Sequence, residues 1–545
     1  MTSAERTVPR STSRPVRRRA LPAVAALHLQ QIRRSALVVL VVVAGLSGLV
    51  AGQFHTMFAG VLDAQALAAL TENPAIRILF GDPVALDDPG GFTVWRTGTV
   101  FAVLVGVWAC VTVTRLTRGE EEAGRSDLLL AGQPTRVHLV ALSLTVLVGC
   151  LAVIGAVLAG TLVFSGTAVV GSVLYAAGLV GVGVGFAAVG ALCAQILPTR
   201  AAASGLGLGL LTASMMARMV ADGAEQLDWL RWFTPFGLVG EVGPYAHDRP
   251  APLLVLFLMP VLFAASAVVI ARMRDAGAGL LRLTARRSPR MTLLGSLPGF
   301  AIRRVLPPMA GWTVGLAAFA GLIGLLAVSI TDFLAGSPRF TELAAAAGFG
   351  LLDATTGYAA TMFTLFAIPV GCFAATRIAA MRQDERSGRA VSLFATSTSR
   401  QRIVAVELAV TLACVLLLLT VVGLAMWAGT RIVQAPLEVG EALAGALNLV
   451  PISLLCIGAA TAALGWLPRA VLLVGCLPAV GGFLLDVLAQ STGAPAWVGD
   501  LSPFAHLAAV PHSPPDWTGL AVSSTIALAL AVIGTVGHAR RDLGV

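Results

Sequence analysis

Long apolar stretches separated by short polar ones run the length of the chain. Runs near 36–52, 98–114, 137–164, 168–197, 201–220 and 251–271 are followed by a second set near 309–330, 357–376, 403–427, 442–467, 470–488 and 517–537. A spanning helix needs about 20 predominantly apolar residues. The pattern therefore predicts about twelve transmembrane helices in an all-α integral membrane protein. Ser165-Gly166-Thr167 divides the stretch 137–197 with a tight turn. Ahead of the first run, Leu21, Val24, Leu27 and Leu29 precede Arg33 and Arg34, which predicts an amphipathic helix over 20–35 lying at the membrane surface. The arm before it is basic. The first apolar run has no small-residue cleavage pattern behind it, so no signal peptide is expected.

The polar breaks repeat. Ile32-Arg33-Arg34 returns as Ile302-Arg303-Arg304, offset by 270 residues, and Leu197-Pro198 returns as Leu467-Pro468, again offset by 270. Arg118-x-Glu120-Glu121-x-x-Gly124-Arg125 returns as Arg382-x-Asp384-Glu385-x-x-Gly388-Arg389 at an offset of 264, and Pro235-Phe236 returns as Pro503-Phe504 at 268. Matches in one order at nearly constant spacing identify two copies of one unit. With six spans each, the copies have the same orientation, which predicts a pseudo-two-fold axis along the membrane normal. The expected layout is a tail and surface helix over 1–35, a first transmembrane domain over 36–272, a linker and second surface helix over 273–308, a second domain over 309–538, and a tail over 539–545.

Composition agrees with a membrane protein: 57% of the 545 residues are hydrophobic and 12% charged, with mean hydropathy +0.86, against about a quarter charged in soluble domains. No lysine occurs anywhere. A phosphate-binding loop of the G-x-x-x-x-G-K-[ST] kind is therefore excluded, and any ATPase driving this chain is another polypeptide. The seven cysteines are scattered singly through apolar runs, which marks them as small apolar fillers. No H-E-x-x-H pair suggests zinc, and no nucleic-acid partner is expected.

Charge sets the expected topology. Arg6 through Arg19, the group Arg115, Arg118, Arg125 and Arg136, then Arg200, and the central run from Arg272 to Arg304 fall on one side of the spans. The alternate loops carry Asp63, Glu72, Asp82, Asp87 and Asp88, and Asp222, Glu225, Asp228 and Glu241. Arginine is retained on the cytoplasmic side. Both termini are expected in the cytoplasm of a bacterial cell, with the chain crossing the plasma membrane.

The two charge runs fall in the loop after the second span of each copy. Topology alone needs arginine there; it does not need paired acids and a glycine at fixed spacing. Glu and Arg three or four residues apart can stiffen a short helix, which leaves further charges to dock on a partner. The run followed by "SDLLLAGQPTR" resembles the corresponding loop of ABC-2 type export permeases, in particular the large duplicated permeases that export polyketide antibiotics (the tetronasin type), which are linked to multidrug efflux. The segments "WLRWFTPFG" from 229 and "DLSPFAHL" from 500 resemble the partly re-entrant segment before the last span of such permeases.

The resemblance implies that Arg118, Glu120, Glu121, Glu122, Gly124 and Arg125, with Arg382, Asp384, Glu385, Gly388 and Arg389, form coupling helices resting on two copies of a separate ABC ATPase. ATP and Mg would bind that partner, with no cofactor, metal or catalytic residue in this chain. Asp384 and Arg386 depart from Glu120 and Glu122, and "VSLFATSTSR" lacks the Asp and Pro of the first sequel, so weaker contact is expected in the second copy.

In the resembled fold the second and fifth helices line the path of a hydrophobic substrate. This makes Phe101, Trp108, Met215, Arg218, Met219, Met362, Phe363 and Phe366 candidates, with packing against neighbouring helices or lipid as the alternative for each. Arg218 stands four residues before Asp222, a spacing suited to an ion pair. Glu407, opposite Ser143 in the first copy, is expected to pair with Arg402 or Arg400, or to respond to protons. A proton-coupled transporter of the major facilitator class also has parallel six-helix halves, but its D-R dipeptide is missing after the second span and the long outer loops do not fit it. A polytopic enzyme would need a nucleophile or acid cluster that no span supplies.

Overall fold

The computed structural model describes residues 20–57, 77–78, 81–132, 134–223, 225–274, 280, 293–336, 354–386, 398–486 and 495–541. Among these residues the protein is all-helical, and 11 helices are long and apolar enough to cross a membrane. Contacts divide the chain into two compact units that meet in sequence between Thr284 and Ala285.

In the first unit, α1 (Ala20–Met57) is one unbroken helix, so the segment read as a surface helix and the first span are continuous. Next, α2 (Pro89–Thr114) begins where Asp88 accepts from the amides of Gly90 and Gly91 at 2.7 and 3.1 Å, with Pro89 preset for the first turn. It runs on through a π-helical turn, Arg115–Gly119, and Glu120–Glu122, to Gly124 at φ 68°, which turns the chain into the short α3 (Arg125–Leu130). A capping box between Thr135 and His138 starts α4 (Arg136–Phe164). Then follow α5 (Val169–Ile196), α6 (Arg200–Gly223), a 3-10 segment (Glu225–Phe233), α7 (Pro235–Val242) and α8 (Ala251–Met273).

The second unit repeats the order: α9 (Leu297–Leu325), continued by α10 (Ala327–Ala335), then α11 (Thr355–Arg386) and α12 (Arg400–Ile432). Ser399 caps α12 by accepting from the Arg402 amide, at the position Thr135 takes before Arg136. The next span comes in two pieces, α13 (Val439–Leu447) and α14 (Val450–Trp466), because Pro451 interrupts the helical ladder. The run read as an eleventh span is helical over 471–486, as far as the described residues extend: α15 (Val471–Cys476) passes through a π-helical turn, Leu477–Gly481, at Pro478 and continues to Asp486. Last is α16 (Trp517–Arg540).

The layering is the same in both units. Of the second-span window, 56% of residues are buried in each, and of the fourth-span window 72% in each, so these spans form each unit's centre. Small residues let the backbones close up: a Cβ on Gly534 of α16 would lie 2.2 Å from the Thr461 backbone of α14.

Candidate functional site

In the first unit the charge motif gathers four helix ends. Arg118 sits in the π-helical turn, 1% exposed. Its Nε donates to the Pro198 carbonyl at 2.9 Å, as does its Nη2, and its Nη1 donates to Glu121 Oε2 at 2.7 Å. The other oxygen of Glu121 accepts from Arg274 Nη2, just past the end of α8. Arg274 Nε donates to Gln195 Oε1 at 2.8 Å, and the Arg274 carbonyl accepts from Arg136 at the start of α4. One carboxylate between two arginines thus joins the second span to the starts or ends of the third, fourth and sixth. Buried charges of this kind persist only when paired and hydrogen-bonded.

Of the remaining charges, Glu120 is buried and Arg125 and Glu122 are exposed. Arg125, 59% exposed, grips both oxygens of Glu120 at 2.7 Å. These hydrogen bonds push the guanidinium pKa above its ordinary value, against a small opposing effect of burial. Glu122 accepts from the Arg200 amide at 2.6 Å. Beside them on α3, Asp127 is exposed and Leu128 is 79% exposed.

The second unit carries the same wiring. Glu385 accepts from Arg382 at 3.1 Å and from Arg541, just past the end of α16. The Arg541 carbonyl accepts from Arg400 Nη1 at 2.9 Å, as the Arg274 carbonyl does from Arg136. One role has moved: here Arg541, at 2.6 Å, reaches the carbonyl of Leu464 near the end of the fourth span, where Arg118 does so in the first unit. Asp384 and Glu407 both pair with Arg304 of α9, and Glu407 also pairs with Arg377 at 3.2 Å. The partners of Glu407 are thus on α9 and α11; Arg402 and Arg400, expected from sequence proximity, lie one turn or more away along its own helix and are not among its ion pairs. Gly388 and Arg389 lie outside the described residues.

The positions read as a substrate path separate. Phe101, buried, and Trp108, half-buried, pack within the core shared by the first, third and fourth spans of the first unit. Met215 is half-buried against the cluster containing Phe186 and Phe236, and Met219 is buried. In the second unit Phe363 and Phe366 are buried, Phe366 stacking on Phe319 with centroids 5.6 Å apart, and Met362 is half-buried beside them.

At the opposite end of the first unit, Arg218 and Asp222 form the expected pair at 2.5 Å. Arg231 of the 3-10 segment joins it, reaching Asp222 at 3.0 Å, Asp82 at 3.2 Å and Glu241 at 3.5 Å. The reading by motif missed Arg274, Arg541 and Arg231. Their signal was present: both sixth spans end in closely spaced arginines, at Arg272 and Arg274 and at Arg540 and Arg541.

Residues 294–538 match the family model of the multidrug efflux system permease Rv1217c, C-terminal domain. Over 489 residues the chain is 27% identical to the multidrug efflux system permease protein Rv1217c of Mycobacterium tuberculosis, an alignment covering 88% of this chain and 87% of that one. This chain is a homologue of that permease along most of its length.

Proposed function

We propose that this chain is the membrane-spanning permease subunit of an ATP-binding-cassette exporter in a bacterial plasma membrane, with both termini in the cytoplasm. It moves hydrophobic drugs, antibiotics or lipid-like compounds out of the cell. The energy comes from ATP hydrolysed, with Mg, on two copies of a separate ATPase subunit. The homologous permease's own name supports efflux, and the absence of lysine in the sequence keeps the phosphate-binding loop off this chain.

The observation that carries the reading is the wiring found in both units: Arg118–Glu121–Arg274 in one, Arg382–Glu385–Arg541 in the other. The buried members hold the loop rigidly to the second, third, fourth and sixth spans. Its exposed side, with Arg125, Asp127 and Leu128, offers charge and an apolar knob to a partner. A push on that face moves helix ends together instead of bending a loop. Coupling then requires that the two arrangements of the helices differ in free energy by an amount that nucleotide binding can bias.

The test is drug uptake into inside-out vesicles holding this chain together with an ABC ATPase that co-purifies with it. ATP should drive uptake, and a protonophore should leave it intact. Uptake driven by an imposed proton gradient without ATP would replace this reading with a proton-coupled one.

A further inference from the structure

A cavity of about 290 Å³ opens within the first unit, at the end opposite the charge motif, between α2, α5, α6 and α7. At about 30 Å³ for each liquid water, it has room for on the order of ten waters or one small organic molecule. Trp95 and Phe236 supply apolar wall; Arg218, Arg231 and Arg249 supply cations.

Among the buried polar atoms of this cavity without a hydrogen-bond partner, Asp222 Oδ2 still lies in its ion pair with Arg218 and the Tyr175 hydroxyl is neutral, so the charged group with capacity to spare is a donor. The cavity's three carboxylates, Asp82, Asp222 and Glu241, are each engaged by Arg218 or Arg231. Arg218 is 7% exposed, yet its Nη1 has no hydrogen-bond partner among the described residues. A buried guanidinium N–H left unmade is costly, and helix geometry did not force it there. Gly81, at φ 96°, is what admits the group: a Cβ on Gly81 would lie 2.3 Å from Arg218 Nη2. Arg249, exposed at the cavity, adds a second cation to the same wall.

We propose that this cavity is a binding site for a small anion with an apolar body, its carboxylate or phosphate oxygen taken by Arg218 Nη1 and its body seated against Trp95 and Phe236. The site lies inside one unit, and its arginines have no counterpart in the matching stretch of the other copy's sequence, where no arginine occurs between Arg469 and Arg540. It is therefore separate from the duplicated coupling loops and does not rest on the transport reading. A soluble aromatic acid and an anionic lipid headgroup share the recognised chemistry.

The full chain in phosphatidylcholine nanodiscs is titrated with 4-trifluoromethylbenzoate and with the neutral amide, followed by fluorine NMR. Saturable binding of the acid is expected, at least about tenfold tighter than the amide, as a charge-assisted hydrogen bond requires. Arg218→Gln should abolish the preference. Gly240→Leu, placed where an added Cβ meets nothing within 4 Å at the cavity wall, should block binding without touching an ion pair. That second variant keeps the test valid if Arg218→Gln fails to fold. Phosphatidylglycerol that displaces the acid identifies lipid as the source; phosphatidylglycerol without effect identifies a soluble acid. No saturable binding, equal binding of acid and amide, or a folded Gly240→Leu variant that binds like the wild type would each mean that the cavity holds water only, and would overturn the proposal.

Discussion

Each unit has two polar ends, and the two ends follow different rules. At the arginine-rich end a carboxylate, half-buried in the first copy and nearly buried in the second, is held between two arginines, and the second arginine sits just past the last span each time. At the other end, among the described residues, the first unit carries a network built on Arg218 and Arg231, and the second unit's sequence has no arginine between Arg469 and Arg540, where their counterparts would fall. A feature kept twice serves something that meets both copies alike, which fits a pair of identical motors. A feature kept once serves a task that only one copy performs.

Within the repeated end, the arginine that reaches the fourth span differs, and this gives the largest expected effects. Arg118→Ala removes one of Glu121's two arginine partners and both donors to the Pro198 carbonyl in the first unit, leaving Arg274 on Glu121, and should cost about 2 kcal/mol, read as a lowered unfolding midpoint in lipid. In the second unit the matching loss should follow Arg541→Ala. Arg382→Ala, removing a side chain 23% exposed with one bond to Glu385, should cost about 1 kcal/mol or less. Equal losses for Arg118→Ala and Arg382→Ala would break the assigned exchange of roles.

Next in size is a functional effect without a folding one. Leu128→Asp changes only an exposed position, so a surface substitution cost within about 0.5 kcal/mol is expected. Co-purification with the ATPase should nonetheless fall severalfold. A smaller effect belongs to the unrepeated end: Arg231→Gln leaves Asp222 paired with Arg218, so stability should drop by about 1 kcal/mol, with ATPase stimulation intact. Loss of stimulation there would show that the two ends act as one device.

The smallest effect concerns the second unit's outer end, where Asp516 caps α16 by accepting from the Thr518 amide at 3.0 Å. The hydroxyl of Thr518 and neighbouring backbone amides hold the Asp516 carboxyl below its ordinary pKa. A depressed folded value means the cap is fully present above the unfolded carboxylate pKa and is lost as pH falls through the folded one. Amide protection in the first turn of α16, taken relative to the intrinsic exchange rate at each pH, should therefore fall only in acid, and Asp516→Ala should remove that pH dependence.

Much of this was legible in the sequence because helices that cross a bilayer must be apolar throughout, and their polar interruptions stand out. The motif from Arg118 to Arg125 and its copy were visible through a constant offset, and the pair Arg218–Asp222 through helical spacing. The partners Arg274 and Arg541 were not, because each lies about 150 residues from the acid it meets; only packing of the second span beside the sixth brings them together. Glu407 illustrates the same limit: local spacing favoured arginines on its own helix, while folding supplied Arg304 and Arg377 from others.

The most direct test of the coupling role is photocrosslinking from a benzoylphenylalanine installed in place of Leu128, with the chain assembled on its ATPase in nanodiscs. The account predicts a crosslink to the ATPase that strengthens or shifts when ATP is added. A crosslink to lipid alone, or none under any nucleotide condition while the assembled complex exports drug, would contradict it.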